Sequence, residues 1–116
     1  MPHHNFDAAI GLAAITDIVE YSRGENSCQT ATIAFMGGAY ETNPAAYQAA
    51  NPVSKALHDN TVLLHGDIDA IVPLEQSQVS GVTTVVVGGA GHFDWVHPGT
   101  AAFQVLLSTL EDIFQK

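Results

Sequence analysis

Positive charge is nearly absent from this chain. Of its 116 residues only Arg23, Lys55 and Lys116 are basic, against 12 Asp and Glu, for a net charge of −9 at pH 7. A surface of that sign repels phosphate backbones and anionic lipid, so neither nucleic acid nor membrane is an expected partner, and the acidity mainly favours solubility. Cysteine is as scarce. Cys28 stands alone, so no intrachain disulfide can form, and its Asn26-Ser27-Cys28-Gln29 setting reads as a small buried apolar residue. No apolar run approaches the roughly 20 residues that span a bilayer. The opening Met1-Pro2-His3-His4-Asn5 has no basic segment followed by an apolar one, so no secretory signal is read and a cytoplasmic setting is expected. His3-His4 reads as solvated terminus, with weak adventitious metal binding as the alternative. Repeats, low-complexity stretches and linkers are missing too, so residues 1–116 are read as a single domain without a cofactor.

What is present is an alternation of short apolar runs and helical patterns. Ala8 to Thr16 is a nearly continuous apolar run, the mark of a strand buried on both faces, although its four alanines leave a short helix open. Asp17 to Gly24 is a more polar exit. Asn26 or Ser27 can cap a short helix through Met36, stopped by Gly37-Gly38, with Thr30, Thr32 and Ile33 leaving a strand possible there. Asn43 can cap a helix from Pro44 to Ala50, and Asn51-Pro52 closes it. Thr61 to His65 and Thr83 to Val87 are β-branched strands, the second ended by Gly88-Gly89. Leu74 to Gln78 makes one helical turn. The last helix begins at Pro98 or Thr100, and Phe103, Leu106, Leu107, Leu110, Ile113 and Phe114 recur on one face at helical spacing. This order predicts an α/β fold with three parallel strands, near 9–16, 61–65 and 83–88, and the Thr100–Phe114 helix packed on them.

Two segments carry chemistry. His65-Gly66-Asp67-Ile68-Asp69-Ala70-Ile71-Val72-Pro73 places acids just past the end of one strand, and Gly89-Ala90-Gly91-His92-Phe93-Asp94 places a histidine in the Gly-rich turn past the next. In open parallel sheets functional groups gather beyond the carboxyl ends of strands. A carboxylate there can fix the tautomer of an imidazole and stabilise its protonated form. Asp69 and His92 are therefore expected within hydrogen-bond reach, with Asp67 second for the acid role. A lone histidine in such a turn is otherwise a surface or capping residue. His65, Asp67, Asp69, His92, Asp94 and His97 also form a dense set for zinc or iron, although His65 more often packs below the strand end. Phe93 and Trp95 flank His92 and can line an apolar pocket or simply pack.

On these residues the chain resembles the carboxyl-terminal portion of the α/β-hydrolase superfamily. The matching pattern is His-Gly-x-x-Asp-x-x-Val-Pro at 65–73, followed by Gly-Ala-Gly-His-Phe-Asp at 89–94. Phe35-Met36-Gly37-Gly38, with Pro44, Tyr47 and Asn51-Pro52, looks like the esterase and prolyl-oligopeptidase-like branch, and Ala14-Ile15-Thr16-Asp17 looks like the sixth strand of that fold. The resemblance implies Asp69 as triad acid and His92 as triad base, in the superfamily order of Ser, then Asp, then His.

The resemblance covers nearly the whole chain from about Ala8, but the departures matter more. Ser22, Ser27, Ser54, Ser77, Ser80 and Ser108 are the only serines, and none stands in a Gly-x-Ser-x-Gly turn. The oxyanion donors of that fold belong to the same missing portion. The 72–82 connection is also shorter than the family's, so its crossover helix is trimmed. Three functions remain: a hydrolase-derived half-domain, silent alone and acting as an oligomeric or binding module; one subunit of a split serine hydrolase whose partner chain supplies the nucleophile; and a His/Asp metal protein. No resident metal is expected. The expected partner is a second copy, joined through the first strand at residues 8–16, whose edge carries no charge.

Overall fold

The computed structural model describes residues 5–115; His3-His4 lies outside them. Strands β1 (Ala9–Leu12), β2 (Thr61–Gly66) and β3 (Thr83–Val87) form one parallel sheet in that order. Helices α1 (Ile18–Ser22), α2 (Ser27–Phe35) and α3 (Pro44–Ala50) lie in the connection from β1 to β2, and α4 (Ala101–Phe114) follows β3. Among the described residues no helix is long and apolar enough to cross a membrane.

The central strand carries the core, because β2 is covered on both faces and its last four residues are buried. On one face Leu64 packs with Ala13, Ala90, Trp95 and Ala102, and Ile10, Leu12, Val62, Val87, Val105 and Leu106 close around them. Truncating a side chain like Leu64 to Ala typically costs about 2–5 kcal/mol. On the opposite face lie Leu63 and His65, by the two-residue alternation of a strand. That layer is tied together by polar side chains. Gln76 accepts the Thr16 and Asp17 amides, each at 2.8 Å, and returns a bond to the Asp17 carbonyl at 3.1 Å. The fully buried Tyr47 donates its hydroxyl to the Gly38 carbonyl at 2.7 Å.

Local signals explain most boundaries. The Asn26 side chain accepts the Gln29 amide while the Gln29 side chain accepts the Asn26 amide, a reciprocal cap that starts α2. Pro44 opens α3, but Asn43 does not cap it; its side chain donates instead to the Met36 carbonyl at 3.1 Å. Thr100 caps α4 through the Phe103 amide.

Besides the cap expected at Asn43, four expectations need correction. The first strand ends at Leu12, not Thr16, because Ala13 takes a left-handed φ of 50° and turns the chain out of the ladder. The segment Ala14 to Asp17 thus lies beyond the strand. The polar exit after Asp17 contains α1, capped by the Asp17 carboxylate on the Val19 and Glu20 amides. The buried stripe of α4 runs through Ala102, Val105 and Leu106, while Leu107 and Phe114 are exposed at its edges. Finally, Cys28 is exposed: it sits in the first turn of α2 on the side away from the core.

Candidate active site

Asp69 and His92 meet beyond the carboxyl ends of β2 and β3. His92 Nδ1 lies 2.9 Å from Asp69 Oδ2. Since a carboxylate only accepts, Nδ1 carries the proton and the neutral ring leaves Nε2 as a base. The Asp69 side chain has no solvent exposure, whereas the His92 ring is 23% exposed. Its outer nitrogen makes no hydrogen bond among the described residues. Phe93 sets its ring edge-on to His92, centroids 4.9 Å apart, and is itself mostly exposed. Trp95 belongs to the core, with its indole N–H unpartnered.

The carboxylate is held from several sides. Its Oδ1 accepts the Ile71 and Val72 amides, both at 2.8 Å. The carbonyls of that loop are taken in turn by side chains from other elements. Tyr21 donates its hydroxyl to Ile71 O at 2.9 Å, and the Asn26 amide reaches Ala70 O and Ile71 O at 3.1 and 2.9 Å. Burial pushes the Tyr21 phenol above its ordinary value, and the nearby Cys28 and Asp69 add to the rise. His65, at the end of β2, is buried beneath the loop. Its Nε2 donates to Val72 O at 2.8 Å and lies 3.6 Å from Asp69 Oδ2. An imidazole N–H facing a carbonyl is a structural strut, in keeping with a position below the strand end.

A second set of contacts fixes the two loops to one another. A Cβ on Gly66 would lie 2.0 Å from the Ala90 carbonyl oxygen, so only glycine lets β2 end this close to the histidine turn. The Ile68 amide donates to that same oxygen at 3.2 Å, and the Asp67 amide to Val87 O at 3.2 Å. Asp67 Oδ1 accepts the Gly89 amide at 2.7 Å, where Gly89 holds a φ of 75°. Asp67 is therefore spent on the turn and is not the carboxylate on His92. Asp94 plays a similar part, accepting the Gly91 amide at 2.9 Å to close the turn.

Of the residues the sequence points to, Asp69 and His92 are brought together and His65 stands next to Asp69. Asp67 and Asp94 are turn-formers, and His97 is exposed, with its carbonyl accepting the Thr100 hydroxyl. No three His, Cys, Asp or Glu side chains gather as a metal site among the described residues. The supports Tyr21 and Asn26 escape sequence reasoning. Asn26 announces itself only as a helix cap, and nothing in the sequence relates Tyr21 to a loop 50 residues on.

No serine hydroxyl bonds His92. Ser22, Ser54 and Ser77 donate to backbone carbonyls of their own turns. A hollow of about 570 Å³ lies at the amino end of β1, lined by Phe6, Ala8 and Ala9 and by the 52–58 segment, at the opposite end of the strand from the acid–imidazole pair. The geometry can take up a proton at Nε2 and stabilise the resulting imidazolium through Asp69. Among the described residues no hydroxyl or thiol is hydrogen-bonded to that nitrogen.

No curated protein matches the sequence. The BD-FAE family model matches residues 1–80, a stretch that takes in β1, α1 to α3, β2 and the Asp69 loop. On that match, and with a parallel sheet to carry it, the chain belongs to the BD-FAE family, whose domain is found in α/β-hydrolase-like esterases.

Proposed function

We propose that this chain is the acid–base portion of an esterase-like hydrolase site, with Asp69 orienting His92 and His92 Nε2 as the base, and that it is catalytically silent by itself. Within this reading the chain corresponds to the carboxyl-terminal half of the α/β-hydrolase fold, in the esterase and prolyl-oligopeptidase-like branch. The observation that carries it is the 2.9 Å bond from His92 Nδ1 to a carboxylate with no solvent exposure. A histidine placed merely for packing has no need of that partner. A hydroxyl or thiol within about 3 Å of Nε2 would lose its proton to the ring as it attacked an acyl carbon, and Asp69 would balance the imidazolium without being protonated itself. General-base assistance of this kind is worth about 10²–10⁴-fold. Without a nucleophile elbow or oxyanion donors there is no acyl-enzyme for it to act on.

The test is hydrolysis of an activated phenyl ester by the full chain, run in parallel on Cys28→Ser because an exposed thiol reacts with such esters unaided. The expected rate is no higher than that of free imidazole at the same concentration, without a burst. A stoichiometric burst followed by turnover, lost in His92→Ala and retained in Cys28→Ser, would overturn the reading.

A further inference from the structure

We infer that the free edge of β1 is the contact between two copies of this chain, joined antiparallel about a two-fold axis at Gly11. The register follows from which backbone groups are already used. Ala9 and Ala13 donate their amides to Asn60 O and Leu64 O at 3.0 and 2.9 Å, and Gly11 stands opposite Leu63 between them. By the alternation of a strand, the N–H and C=O groups of Ile10 and Leu12 point away from β2. None of these makes a bond to any other element among the described residues. Neither charge nor proline protects this edge: from Ala8 to Thr16 there is no charged residue and no proline.

A two-fold axis requires a strip that complements itself. With Gly11 facing Gly11, the N–H and C=O of Ile10 bond those of Leu12 in the other copy, and the reverse, so every outward group of β1 is satisfied. Facing residues in the narrow pairs of an antiparallel ladder bring their Cα atoms to about 4.5 Å. Gly11 leaves that position clear; a Cβ there would lie 2.8 Å from Leu63 Cδ2, and the Leu63 side chain would have to shift.

Charge and apolar surface agree with this register. No charged residue lies within β1, so the −9 of each chain is kept off the seam. Ile10 and Leu12, which face each other across this seam, are both apolar. Two three-stranded sheets become one continuous sheet with both α4 helices on the same face. This assembly does not depend on the acid–base reading of the site.

The test pairs sedimentation of the full chain at micromolar concentration with amide hydrogen exchange read residue by residue. The expected result is a dimer in which the Ile10 and Leu12 amides exchange on the order of 100-fold more slowly than in the dissociated chain. A monomer would overturn the proposal whatever its exchange pattern, and would leave the edge to a different chain. A dimer whose Ile10 and Leu12 amides exchange freely would overturn it equally, by placing the contact elsewhere.

Discussion

Asp67 Oδ1 accepts the Gly89 amide at 2.7 Å. The bond runs from the loop after β2 to the turn after β3, and it separates the roles of two acids with a single residue between them. Asp67 is exposed and holds the two loops in register. Asp69, with its side chain buried, accepts from His92 and from two amides of its own loop. Preorganisation of the pair therefore comes from carboxylates tied to backbone amides of the two loops.

The two glycines of this junction should respond differently to alanine. Gly66→Ala drives a methyl group into the Ala90 carbonyl, which is backbone and cannot move aside. Overpacking of this kind costs about 1–3 kcal/mol, and the histidine turn should shift with it. Gly89→Ala meets nothing within 4 Å, and its only penalty is the φ of 75°, about 1–2 kcal/mol. Thermal unfolding should rank Gly66→Ala below Gly89→Ala. His92 chemical shifts should move strongly in the first and slightly in the second.

Much of this arrangement is legible in the sequence, and the reasons for the rest are physical. Thr61–His65 and Thr83–Val87 declare themselves as strands because β-branched runs between turn residues favour the pleated backbone. Asp69 and His92 stand out because their strands are parallel neighbours and their loops leave the same end of the sheet. The end of β1 is hidden, since Ala8 to Thr16 is apolar throughout and only the left-handed turn at Ala13 stops it. A helix of α1's length has no stability of its own, so no periodicity marks it. In α4 the apolar residues span a wider arc than the sheet can cover, and Leu107 and Phe114 are left at its margins. Asp67 and Asp69 differ only in which backbone amides lie in reach, which residue type cannot reveal.

Tyr21 links stability to alkaline pH. Its phenol is buried and held above the ordinary value of about 10, so the folded chain favours the neutral form. The stabilisation is complete below the unfolded-state value and is lost as pH rises through the folded one. Unfolding midpoints in denaturant should therefore fall above about pH 10 in the wild type. Tyr21→Phe should lose about 0.5–1.5 kcal/mol at neutral pH, with the hydrogen bond to Ile71 O, and should show a shallower alkaline decline.

The state of the His92 ring decides whether Asp69 and His92 work as an acid–base pair, because that role requires Nδ1 to carry the proton against Asp69. Nitrogen-15 spectra of the imidazole, recorded above its titration in the wild type and in Asp69→Asn, read the tautomer without any substrate. The Nδ1–H tautomer is expected in the wild type and its loss in Asp69→Asn, whose amide can donate to Nδ1 in place of accepting from it. A wild-type ring protonated at Nε2, or a tautomer indifferent to Asp69→Asn, would contradict it.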